Sequence, residues 1–252
     1  MVDVKILVVE DDNIVSMDIK KTLESFGYEV PYVATSGEEA IEKAHEIMPD
    51  LVLMDIVLKG QIDGIEAASK IKALNIPIIY LTAYSDGSLI QRAKQTNPYG
   101  YLLKPYDIFG LNLTIEIALN NHENGQELKE IINGSPVPLF FINKEHKVVY
   151  WNKAMEKYSG VMAEEVVGTD QHWKAFYSEK RPCMVDLLAD NKLDQLHKLY
   201  SGINKSELID GAYKTKDFFP KLGVNGKWLN YSATAIKNPK GIIIGALEML
   251  EV

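Results

Sequence analysis

Leu51-Val52-Leu53-Met54-Asp55-Ile56-Val57 constrains the chain more than any other stretch, because six of its seven residues are apolar and the one carboxylate stands near the end. Pro49-Asp50 and Lys59-Gly60 bound the run. An unbroken Leu/Val/Met segment of this length fits a strand buried on both faces of a parallel sheet, since half-solvated strands alternate apolar and polar residues. Asp55 then falls at the carboxyl end of the strand. In open α/β sheets that end faces the crevice where ligands bind. A carboxylate closing so apolar a strand therefore reads as a functional group rather than a loop cap.

The flanking sequence supplies the rest of such a sheet. Lys5 to Val9 is a short apolar strand ending in Glu10-Asp11-Asp12, and Val15, Ile19, Leu23 and Phe26 mark one face of a helix that Gly27 stops. Tyr28 to Val33 reads as a second strand, followed by Ser36-Gly37-Glu38-Glu39, a capping box opening a helix with Ala40, Ala44 and Ile47 on its apolar side. After the Asp55 strand, Asp63-Gly64-Ile65-Glu66 opens a helix with Ile65, Ala68, Ile71 and Leu74 on one face. Ile78 to Thr82 is a fourth strand that Pro77 can precede, Asp86 to Thr96 a short helix, and Tyr101 to Lys104 a fifth strand that Pro105 ends. Strict alternation predicts a doubly wound, five-stranded parallel sheet.

The strand ends then bring together Glu10 and Asp11 from strand one, Asp55 from strand three, Thr82 from strand four and Lys104 from strand five. Three acids in one crevice repel unless a cation neutralises them, and all-oxygen ligation with few protein donors suits Mg²⁺. A phosphoryl group needs the same apparatus of metal, ammonium and hydroxyl to take up charge from its oxygens. Stabilisation of a helix N-terminus accounts for Asp11 or Asp12 alone. It does not account for their coincidence with Asp55, Thr82 and Lys104.

Val9-Glu10-Asp11-Asp12, Met54-Asp55, Leu81-Thr82-Ala83 and Leu103-Lys104-Pro105 resemble, in type, order and spacing, the motifs of the response-regulator receiver domain, of the flavodoxin-like fold. The resemblance covers residues 3 to about 120. It implies that Asp55 is phosphorylated by a histidine kinase and that Glu10, Asp11, Asp55 and the Val57 carbonyl hold Mg²⁺. It also implies that Lys104 pairs with the phosphoryl group, that Thr82 and Tyr101 form a switch pair, and that Lys104-Pro105 is cis. One departure is visible. Lys59 stands where the family usually has proline, and Leu58 to Asp63 is one residue longer.

Beyond residue 120 the pattern changes. Ile108, Leu111, Ile115, Ala118 and Leu119 stripe a helix, Asn120 to Gly125 is polar, and Leu128, Ile131 and Ile132 resume the stripe. This places a receiver at 1–121, a helical linker at 122–134 and a second domain at 135–252. The repeated stripe, with His122, reads as a helical seam and predicts a homodimer. Pro138 to Asn143 and Lys147 to Trp151 form an antiparallel hairpin about Lys144-Glu145-His146, a helical middle follows, and strands near Tyr213–Phe219, Lys227–Ile236 and Ile242–Leu250 close an α+β domain with an antiparallel sheet. Leu139-Phe140-Phe141-Ile142, Val149-Tyr150-Trp151-Asn152-Lys153-Ala154 and Glu164-Glu165-Val166-Val167-Gly168-Thr169 resemble the PAS family, which implies a sensory or dimerising module with a pocket of unknown ligand, if any.

Composition narrows the rest. Residues 1 to 120 carry 10 Lys and Arg against 18 Asp and Glu while the remainder carries 17 against 17, so no basic surface for nucleic acid is expected in either half. No apolar run reaches a membrane span, the N-terminus lacks a signal-peptide pattern, and the single Cys183 excludes an internal disulfide or a cysteine cluster, which together predict a cytoplasmic protein. Lys180-Arg181-Pro182-Cys183-Met184 does not resemble the cysteine motif of flavin photosensors, so Cys183 reads as buried and structural. His172 and His197 read as hydrogen-bonded or surface histidines rather than haem ligands. The expected function is that of a two-component response regulator, with no kinase catalytic motifs and thus not an enzyme beyond its own phosphorylation and dephosphorylation. The alternatives are the receiver-PAS front of a hybrid histidine kinase, or a PAS ligand or redox sensor carrying a regulatory receiver.

Overall fold

The computed structural model describes residues 4–83, 87–200, 202–222 and 225–251. The chain divides into two compact units at Gln126/Glu127.

The first unit holds strands β1 (Ile6–Val9), β2 (Val33–Ala34), β3 (Leu51–Asp55), β4 (Ile78–Ala83) and β5 (Gly100–Lys104), interleaved with helices α1 (Asn13–Ser25), α2 (Gly37–Ile47), α3 (Gly64–Ile71) and α4 (Gly87–Lys94) and followed by α5 (Ile108–Gly134). The strands pair in parallel in the order β2-β1-β3-β4-β5. Period-two alternation explains the unbroken apolar runs. Ile6, Val8, Leu51, Leu53, Ile79 and Leu81 pack with Ile19, Leu23, Leu111, Ile115 and Ala118 on one face, whereas Leu7, Val9, Val52, Met54, Ile78 and Tyr80 pack with Ala40, Ala44, Ile65, Ala68 and Ile71 on the other.

The local signals of the sequence are met with adjustments. Asp12 caps α1 by accepting from the amides of Ile14 and Val15, and Asp63 caps α3 by accepting from that of Glu66. The α2 capping box is only half formed: Ser36 Oγ accepts from Glu39 N–H, but the Glu39 carboxylate accepts from the amide of Thr35 and the hydroxyl of Tyr32. The second strand is far shorter than Tyr28 to Val33. Pro31 has no N–H to give, so the parallel ladder is reduced to a bridge at Glu29 and the two residues of β2.

Gly125 does not interrupt α5, which runs unbroken through the linker residues 122–134. One glycine costs a helix interior about 1 kcal/mol, less than the flanking Glu, Gln, Leu and Lys residues recover. Leu111, Ile115 and Ala118 are spent on the core of their own sheet, which removes them from the expected seam, and Ile108, Leu128 and Ile131 are exposed.

The second unit contains β6 (Leu139–Asn143), β7 (Val148–Trp151), β8 (Asn204–Lys205), β9 (Ala212–Phe219), β10 (Lys227–Lys237) and β11 (Ile243–Glu251), with α6 (Lys153–Ser159), α7 (Ala163–Val166), α8 (Met184–Ala189) and α9 (Leu193–Leu199) in the middle. Its antiparallel sheet runs β7-β6-β11-β10-β9-β8. The two-residue, exposed β8 is the strand the sequence did not signal. The helices cover one face of the sheet over Phe140, Trp151, Phe176, Phe219 and Tyr231.

Asn152 is wholly buried and ties this unit together. Its Oδ1 accepts from the amides of Leu139 and Met155 at 3.1 and 2.8 Å, and its Nδ2 faces the carbonyls of Ile132, Ser135 and Val137 at 3.2, 3.4 and 2.9 Å. Replacement by alanine leaves several of these buried backbone groups unpaired at once. Asn152→Ala is expected to destabilise the second unit by roughly 3 kcal/mol, read from urea unfolding; a loss under about 1 kcal/mol would show that water replaces the amide.

Candidate functional site

The carboxyl ends of β1, β3, β4 and β5 lie along one edge of the first sheet, and the strand order reverses between β1 and β3, where ligands of such folds are held. Register fixes the placement. Val9 pairs with Met54, Asp55 with Leu81, Thr82 with Leu103 and Ala83 with Lys104, so Glu10, Asp55, Thr82 and Lys104 end neighbouring strands at nearly one level.

The structure brings the acids and the ammonium into direct contact. Lys104 Nζ donates to Glu10 Oε2 at 2.6 Å and to Asp55 Oδ2 at 2.7 Å. The oxygens of Glu10, Asp11 and Asp55 lie within 4.8 Å of one another, a spacing one divalent cation can bridge. The other Asp55 oxygen accepts from the Val57 amide at 3.1 Å, while the Val57 side chain is exposed. Burial raises the Glu10 carboxyl above its ordinary value despite the Lys104 hydrogen bond and with help from the Asp55 charge. Burial pulls the other way on Lys104, but its hydrogen bonds to Asp55 and Glu10 prevail and hold the ammonium charged.

Thr82 is buried beside this cluster, and its hydroxyl donates weakly to the Ala83 carbonyl at 3.3 Å. Tyr101, on β5, stacks at 5.9 Å on Tyr80, and its hydroxyl is buried with no hydrogen-bond partner among the described residues. The Lys104-Pro105 bond is cis. Tyr84, two residues after Thr82, lies outside the described residues.

Two features of the site escaped the sequence. Lys59 reaches across to Asp11 Oδ2 at 2.9 Å, so the residue in the usual proline position supplies a second ammonium to the acidic cluster. The long loop is also tied down, because the Gln61 amide donates to Glu38 Oε1 at 3.0 Å. Gly64 explains how α3 starts directly behind the site: a Cβ there would sit 1.9 Å from the Asp55 carbonyl oxygen, a contact no side chain tolerates.

The family model for the response regulator receiver domain matches residues 6–116, and that for the PAS fold matches residues 126–178. A response regulator receiver domain in the first half of the chain is thus followed by a PAS fold. Over 117 residues it is 40% identical to the transcriptional regulatory protein PdtaR of Mycobacterium tuberculosis, a match covering 46% of this chain and 57% of that one. Over 119 residues it is 40% identical to the transcriptional regulatory protein ZraR of Escherichia coli K12, covering 46% of this chain and 26% of the relative. The chain thus spans little more than half of the first relative and about a quarter of the second. Among solved structures, the signal receiver domain of a modulated diguanylate cyclase from Desulfovibrio desulfuricans G20 is 40% identical, with a TM-score of 0.47, and covers 49% of this chain and 99% of its own. No described helix is long and apolar enough to cross a membrane.

Proposed function

We propose that the chain is a phosphoacceptor in two-component signalling, in which Asp55 takes a phosphoryl group from a histidine kinase and the PAS unit senses, dimerises or docks in response. The observation that carries this reading is the Lys104 ammonium held between Asp55 and Glu10. One Asp55 oxygen forms the new P–O bond as the bond from phosphorus to the donor imidazole breaks. Lys104, already charged and in place, then shifts its hydrogen bond from the carboxylate to a phosphoryl oxygen. Thr82 turns its hydroxyl from the weak Ala83 contact toward the same group, and Tyr101, whose hydroxyl has no partner among the described residues, follows into the space vacated.

Glu10, Asp11 and Asp55, with the Val57 carbonyl, are the groups that would hold Mg²⁺, and the all-oxygen donor set fits a hard cation. When bound, the ion supplies charge neutralisation between carboxylates and phosphoryl oxygens. Lys59, paired with Asp11 at 2.9 Å, would have to release that oxygen for it to serve as a metal ligand. Labelling with radioactive acetyl phosphate tests the reading. A base-labile acyl phosphate at one per chain, formed with Mg²⁺ and abolished by chelator, is expected; labelling indifferent to the metal would refute it.

The lifetime of the phosphoryl group follows from Val57. Its exposed side chain is apolar and cannot orient an attacking water, so Val57→Asn is expected to speed loss of label on the order of tenfold. Equal decay of parent and variant, followed side by side, would reject a water-positioning role at this place.

A further inference from the structure

The second unit holds a group of potential metal ligands unrelated to the acidic cluster of the first. One ligand atom each from His172, Cys183 and Asp186 lies within 4.8 Å of the other two. His146 adds a fourth donor, its Nδ1 being 2.6 Å from Asp186 Oδ1. These residues come from the turn between β6 and β7, the 3₁₀ turn at His172–Ala175, and the start of α8. The sequence has no metal motif here. The fold assembles the group.

We propose that His146, His172, Cys183 and Asp186 form a zinc site. One imidazole pair, one sulfur and one carboxylate make a mixed donor set of the borderline-soft kind that Zn²⁺ takes in four-coordinate form. The distances are close to what is needed. Bonds of about 2.0 Å to nitrogen and oxygen place tetrahedral ligand atoms roughly 3.3 Å apart, and His172 Nε2 already stands 3.0 Å from Asp186 Oδ2. Coordination releases the Cys183 thiol proton to solvent.

Hydrogen bonding alone accounts for only part of the arrangement. Asp186 accepts from the Cys183 amide at 2.8 Å as an ordinary helix cap and bonds both histidines. Among the described residues that network gives the Cys183 sulfur no role beyond capping. Entry is open from one side. A pocket of about 430 Å³ reaches His146, His172 and Asp186 from the surface. The cations at its rim are engaged elsewhere, Lys180 with Asp170 at 2.8 Å, Lys192 with Asp190 at 2.7 Å, and Arg181 over the Tyr177 ring at 4.3 Å and beside Asp217 at 3.8 Å. Asp190 receives His146 Nε2 at 2.8 Å, the second carboxylate that orients a metal-bound imidazole.

Cys183 is the only cysteine in the chain, which makes the test specific. Cobalt(II) is titrated into the full chain with Mg²⁺ in large excess to keep the acidic cluster of the first unit filled. A thiolate-to-cobalt charge-transfer band is expected to saturate at one ion per chain and to be displaced by one equivalent of Zn²⁺. It should be absent in Cys183→Ser. In His146→Asn, which keeps a residue suited to the turn, binding should weaken at least tenfold. No band in the parent, a band that persists in Cys183→Ser, or unchanged affinity in His146→Asn would each overturn the site, and the first of these needs no variant to fold.

Discussion

Asp55→Asn is expected to abolish Mg²⁺-dependent labelling by acetyl phosphate, while Asp12→Asn retains it. Asp55, like Glu10, meets both Lys104 and the other acids, and an amide in its place offers neither a nucleophilic oxygen of comparable strength nor a charge for the cation. Asp12 is the neighbouring control. Its side chain turns away to cap α1, accepting from Ile14 and Val15 at 2.8 and 3.1 Å, and asparagine caps about as well. Because Lys104 keeps its 2.6 Å bond to Glu10, the Asp55 variant retains a partner for its buried ammonium and should stay folded. Stoichiometric labelling of Asp55→Asn would move the acceptor elsewhere and remove the basis of the proposed function.

The second large effect belongs to the other unit. Glu248 on β11 is 2% exposed, its Oε2 has no partner among the described residues, and burial pushes its carboxyl up to about 8, with the Asp186 charge adding to the rise and the Val185 amide opposing it. An unfolded chain ionises this group near 4.5. Between those values the folded state binds the extra proton, so stability is greatest below the lower one, declines as pH climbs, and levels off above the upper one. The loss amounts to roughly 3–5 kcal/mol. Glu248→Gln should remove this slope and be the more stable protein at about pH 9, the two converging near about pH 5. Trp151, Trp173 and Trp228 are the chain's three tryptophans, and all lie in this unit, so fluorescence-detected urea unfolding reports it alone. Parallel pH profiles for parent and variant would show that Glu248 is solvated in solution.

Periodicity and punctuation made most of both units legible. The two-faced burial of β1 and β3 was written in Ile6 to Val9 and Leu51 to Met54, and once those strands are parallel the level of Glu10, Asp55, Thr82 and Lys104 follows from geometry. Glu248 was also visible in principle. It falls in the inward phase of Ala246 and Leu250, where an acid is out of place. What could not be seen depends on contacts between segments far apart in the chain. Lys59 finding Asp11, the loop held by Glu38, and His146 reaching Asp186 forty residues on have no periodic signal, because each is set by where two loops arrive. Gly125 illustrates a different point: a glycine signals a stop only when its neighbours also prefer one, and here they favour helix.

The bonds of Asn152 set how far upstream the second unit must extend. Its partners include carbonyls at Ile132, Ser135 and Val137, all upstream of the first strand, and the side chain that reaches them is anchored behind β7. A fragment excised from Leu139 onward would keep every strand and helix of this unit after α5, yet strand the amide of Asn152 in an apolar interior with those carbonyls gone. Proteolytic trimming should accordingly stop before Ile132, and the stretch that precedes the sheet belongs to the fold rather than to a tether.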